Sequence, residues 1–103
     1  EKEMAIEAAA HGHLDILMYF VEERKISDVV KRVCMFNAAK FGRLDCLKYL
    51  VEEAKVPLND WQDIAFARYH EQPDCVNYLL KKGCPEPTDE EYAWFVEDEE
   101  EQQ

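Results

Sequence analysis

Gly12-His13-Leu14-Asp15-Ile16-Leu17-Met18-Tyr19-Phe20-Val21-Glu22-Glu23 recurs, with few changes, as Gly42-Arg43-Leu44-Asp45-Cys46-Leu47-Lys48-Tyr49-Leu50-Val51-Glu52-Glu53. A third version runs Pro73-Asp74-Cys75-Val76-Asn77-Tyr78-Leu79-Leu80-Lys81-Lys82. The aspartates at 15, 45 and 74 set the spacing at 30 and then 29 residues. A fixed period of this size is the signature of stacked repeats, in which no unit hides its apolar side alone.

Each copy reads as a helix. Leu14, Leu17, Phe20 and Val21 share one face, as do Leu44, Leu47, Leu50 and Val51. Pro73 stands where Leu14 and Leu44 stand, and proline enters a helix only in its first turn. The aspartate that follows suits the positive end of the helix dipole. Upstream of each copy lies a small-residue segment, Ala8-Ala9, Ala38-Ala39 and the weaker Ala65-Phe66-Ala67. These predict leading helices over 3–10, 30–40 and 61–69, paired with trailing helices over 14–23, 44–53 and 73–82. Alanine lets such paired backbones approach closely. Gly83 and Pro85 stop the third pair. Thr88 then caps a last helix over 88–97, with Tyr92, Phe95 and Val96 on one face. The expected architecture is all-α, an α-solenoid of about three helix-turn-helix repeats (3–29, 30–60 and 61–87) with a capping helix. The repeat domain fills 1–97, and residues 98–103 are expected to be a disordered acidic tail.

Composition narrows the job. The chain has 103 residues and a net charge of −11. Nine acidic side chains and no basic one lie between Glu86 and Glu101, so the body before them is nearly balanced. Nucleic acid and anionic membrane faces both call for a basic patch, and neither is expected as a partner. No apolar run approaches the roughly 18 residues that span a bilayer. The N-terminus lacks a signal-peptide pattern and a starting methionine, which reads as a processed chain or one cut from something longer. The acidic tail is read mainly as a solubilising end, and otherwise as a docking segment for a basic partner.

Three features invite sharper chemistry and are better explained by packing. Cys34, Cys46, Cys75 and Cys84 show no close pair of the kind that holds zinc. Cys46 and Cys75 sit at equivalent places on neighbouring helices, whose axes should be about 8–10 Å apart, too far for a disulfide. Buried reduced thiols are expected, which points to the cytoplasm or nucleus. His11 and His13 are two apart and do not share a helix face, so structural duty in the turn is expected of His13, and exposure of His70. Tyr19, Tyr49 and Tyr78 are repeat-equivalent and are expected to pack in register, hydroxyls at the edge. With one serine, one threonine and no phosphate-cradling loop, no catalytic group, metal or cofactor is expected.

Ala8-Ala9-Ala10-His11-Gly12-His13-Leu14-Asp15-Ile16-Leu17 resembles the ankyrin repeat, and Leu47-Lys48-Tyr49-Leu50 with Gly83-Cys84-Pro85 resembles its leucine-lysine-tyrosine-leucine variant. The likeness covers roughly 3–88. It departs in lacking the threonine-proline-leucine-histidine start, in putting Glu71-Gln72 for glycine-histidine, and in a period about three residues short of the usual 33. The missing residues fall where the family builds its fingers, which are expected to be blunt. The resemblance implies a non-enzymatic module binding a protein partner in the groove of leading helices and fingers. By position, that groove receives Asn37, Lys40, Phe41, Trp61, Phe66, Tyr69 and His70. Exposed aromatics among them are expected to anchor the partner. The alternative is a structural subunit wedged into a larger assembly. Met4, Ala5, Ile6, Met18 and Tyr19 form an apolar N-terminal face (residues 3–20) that is expected to meet a further repeat or a neighbouring subunit.

Overall fold

The computed structural model describes residues 1–102 and shows, among them, seven helices and no strand. Helix α1 (Lys2–Ala10) turns into α2 (Leu14–Glu22), α3 (Asp28–Lys40) into α4 (Leu44–Glu52), and α5 (Gln62–Tyr69) into α6 (Pro73–Lys81). The leading helices α1, α3 and α5 pack side by side, with α2, α4 and α6 as a second layer. Helix α7 (Asp89–Glu101) lies on α5, where a fourth leading helix would lie. The fold is an α-solenoid of stacked helix pairs.

Close approach of the leading helices rests on small side chains. Ala5, Ala8, Ala9, Ala38, Ala39, Ala65 and Ala67 are all buried. Trailing helices supply the bulk through Leu17, Phe20, Leu47, Leu50 and Leu79, each burial contributing about 1.5–3 kcal/mol. All four cysteines are free and buried within this core.

The turn inside each pair needs a left-handed residue. Gly12 (φ 76°), Gly42 (φ 72°) and Glu71 (φ 57°) fill that place. Glycine has a second reason to be there: a Cβ on Gly42 would stand 2.7 Å from Gln72 Cδ, and one on Gly12 3.1 Å from Arg43 Cδ. The turn side chain of the next repeat lies over each glycine. Glu71 escapes that crowding, but as an L-residue in the left-handed region it carries a strain of about 1 kcal/mol. Glu71→Gly is therefore expected to stabilise the fold by at most about 0.5 kcal/mol, after glycine's greater entropy loss is set against the relief, as measured by thermal denaturation.

Two helix ends differ from the expected ones. Helix α3 starts at Asp28 because Ser27 Oγ accepts from the Val30 N–H at 3.2 Å. Helix α7 starts from a reciprocal cap in which Thr88 Oγ1 accepts from the Glu91 N–H (3.1 Å) and Glu91 Oε1 from the Thr88 N–H (2.8 Å). It does not stop at 97: the helix continues to Glu101 through residues assigned to a disordered tail. Its last turns stay docked, with Glu99 Oε1 3.5 Å from His70 Nε2 and both side chains mostly covered. His70 is thus half-buried rather than exposed. Gln103 lies outside the described residues.

Two ladders tie repeat to repeat. Tyr49 Oη donates to Glu22 Oε2 at 2.7 Å, and Tyr78 Oη to Glu52 Oε2 at 2.5 Å. Arg43 Nε donates to the Ala10 carbonyl (2.8 Å) and Gln72 Nε2 to the Lys40 carbonyl (3.3 Å). Tyr49 and Tyr78 are buried as the in-register stack requires, whereas Tyr19, on the first pair, is 48% exposed. His13 closes its turn through its backbone, its N–H donating to the Ala8 carbonyl at 2.8 Å, while its ring is exposed.

Candidate functional site

Helix α3 presents a lengthwise stripe that the core does not consume. Val29, Val33, Phe36, Asn37 and Lys40 follow helical spacing along one face and remain exposed or half-buried, while Cys34, Met35, Ala38 and Ala39 are buried opposite. Between this stripe and the short loop over 54–59 lies a groove of about 600 Å³, lined by Val29, Arg32, Val33, Phe36, Lys55 and Pro57 among others. The loop is blunt and contains no strand, because the repeat is too short to build one.

Arg32 holds that loop in place. Its Nη2 donates to the Pro57 carbonyl (2.9 Å) and to Asn59 Oδ1 (2.6 Å), and its Nη1 to Asp63 Oδ2 at 3.1 Å. The guanidinium also stacks over Phe36, 5.6 Å from the ring centre. Asp63 is fully buried on α5, and its other oxygen, Oδ1, has no hydrogen-bond partner among the described residues. Burial pushes its carboxyl up to about 7, against the opposing pull of Arg32. One half-buried arginine on a buried aspartate therefore links α3, the loop and α5.

The seven residues named from the sequence separate into two groups. Lys40 and Phe41 end α3, with the ammonium 5.4 Å over the Phe41 ring and Phe41 itself 44% exposed. Asn37 stands on the same stripe, its Nδ2 donating to the Val33 carbonyl at 2.9 Å. Trp61, Phe66, Tyr69 and His70 lie at the α5–α7 contact. Phe66 meets Phe95 edge-on at 4.8 Å between ring centres, Tyr69 at 6.2 Å and Trp61 at 6.4 Å, and Phe66 touches Phe36 at 5.2 Å. These rings serve in part to seat the last helix, a use that the sequence did not reveal. Trp61 and Phe66 also line a second concavity of about 500 Å³ with Trp94, Asp98 and Glu99.

Sequence reasoning missed Val29, Arg32, Val33, Phe36 and Lys55. Val29, Val33 and Phe36 were detectable from their spacing with Asn37 and Lys40. Arg32 and Asp63 stand one repeat plus one residue apart, so neighbouring repeats bring them together.

The thiols are poor nucleophiles here. Burial pushes Cys34 and Cys75 up to about 11 and Cys84 to about 12, and Cys46 also upward. No cluster of three or more His, Cys, Asp or Glu side chains suited to a metal exists among the described residues, and none of their helices is long and apolar enough to cross a membrane.

Stacked helix pairs with a row of leading helices define a repeat protein of the ankyrin class. The chain matches the family model for ankyrin repeats (3 copies) over residues 5–90. It belongs to the ankyrin repeat family. No curated protein and no solved structure matches it beside that family model. Ankyrin repeats are generally protein–protein interaction modules and typically non-enzymatic.

Proposed function

We propose that this chain is a non-enzymatic module that holds a protein partner along the α3 stripe and the blunt 54–59 loop. The observation that carries the reading is the unconsumed stripe itself: Val29 is 74% exposed and Phe41 44% exposed at its two ends, with a groove beside it. Apolar groups held in the open on a rigid helix are what interface anchors require. Asn37 and Lys40 add polar contacts between them, while Trp61, Phe66, Tyr69 and His70 extend the surface toward α7. The four unbridged cysteines support a reducing compartment.

Photo-cross-linking residues placed singly at 29, 41 and 77 test this in native extract, Asn77 being exposed on trailing helix α6. Positions 29 and 41 are expected to capture the same protein and position 77 none. Phe41→Ala should then weaken binding of that protein by about 2 kcal/mol with helicity unchanged. Capture confined to position 77 would move the partner to the other layer. Trp61→Ala and Tyr69→Ala are less suitable probes, since both remove a ring that packs on Phe95.

A further inference from the structure

We propose that the N-terminal end of the array, the surface carrying Met4, Ile16 and Tyr19, takes a further helix pair of this chain's own repeat pattern. Met4 is 62% exposed, Ile16 44% and Tyr19 48%. Their counterparts one and two repeats on are covered: Cys34 and Asp63 at 0%, Cys46 at 0% and Cys75 at 1%, Tyr49 and Tyr78 at 8%. In each later repeat, the pair in front supplies the cover. At the first repeat a hollow of about 330 Å³ remains between Met4, Ala8, His13 and Ile16.

The ladders state what the cover must contain. Tyr19 holds the place from which Tyr49 and Tyr78 donate to Glu22 and Glu52, and His13 the place from which Arg43 and Gln72 donate to the carbonyls of Ala10 and Lys40. Both accepting pairs place that carbonyl two residues before the turn glycine and the glutamate ten residues after it. The glycine is needed because the next turn's side chain lies over it. The occupant is therefore a helix pair with those three features in that register.

The opposite end lacks the glycine and the glutamate. Glu71 replaces the glycine, Lys81 stands where Glu22 and Glu52 stand, and α7 covers α5. The turn glycine and the accepting glutamate are missing at the end that α7 covers, while the donating groups persist at the front. That asymmetry also argues against a second copy stacking head to tail, since its last repeat offers neither glycine nor glutamate.

Duplicating residues 1–30 directly ahead of Glu1 supplies all three features in register. The extended chain is expected to add two helices, melt in one transition, and show a midpoint raised by at least about 5 °C. Tyr19→Phe should lower its folding constant about tenfold, and less than about twofold in the original chain, because only the extended chain offers the carboxylate. An added pair that stays unfolded, an unchanged midpoint, or equal Tyr19→Phe effects in both chains would each overturn the proposal. So would a dimer of the original chain, seen by sedimentation and abolished by Ile16→Glu, which would give this face to a second copy.

Discussion

Tyr49→Ala is expected to lower stability by about 3–5 kcal/mol, the range for truncating a buried aromatic ring. The ring is 8% exposed between two repeats, and its hydroxyl donates to Glu22 across them. Burial, with the neighbouring Glu22, pushes the Tyr49 phenol up to about 12, so it stays a neutral donor throughout the ordinary pH range. A small domain has roughly 5–15 kcal/mol in all, so this one truncation removes a large share. Tyr49→Phe keeps the ring and should lose only about 1 kcal/mol. Urea denaturation followed by helicity separates the two. A loss below about 1 kcal/mol for the alanine variant would mean that the tyrosine stack does not hold the repeats together.

Arg32→Met is expected to cost a similar amount, about 3–5 kcal/mol at pH 8, because it strands a buried carboxylate and releases the loop. The sign of the pH dependence follows from Asp63, whose carboxyl is raised in the folded state to about 7. A group raised on folding contributes its stability fully below its unfolded value, near 4, and loses it as pH rises through the folded one. The native chain should therefore lose stability from this group between about pH 4 and 7, and Asp63→Asn should flatten that slope. Without Arg32 the carboxyl is pushed higher still, so Arg32→Met should be milder at pH 5 than at pH 8. Denaturation at the two pH values checks this, and an equal cost at both would show that Asp63 does not titrate in this range.

The aspartate spacing and the alanine pairs made the helices, their pairing and their number legible, because a repeat that packs on its own copy repeats its packing residues. Helix ends were less legible. Ser27 reads as loop although its hydroxyl caps α3, and residues 98–101 read as tail because composition says nothing of what Glu99 and His70 do across α5 and α7. Asn37, Lys40 and Phe41 could be carried over by position to the exposed face and end of α3. Trp61, Phe66 and Tyr69 could be located on the third leading helix but not assigned their neighbour, since Phe95 belongs to a helix outside the repeat period. Arg32 was overlooked because an arginine in a mixed-charge helix carries no local mark of a partner in the next repeat.

The cysteines give the array a set of internal clocks. A thiol reacts as its thiolate, and each of these four is both walled off and held in the protonated form. Cys34 and Cys46 sit in the middle pair, Cys75 in the third and Cys84 beyond it, so the order in which an alkylating reagent finds them reports which joint of the stack parts first.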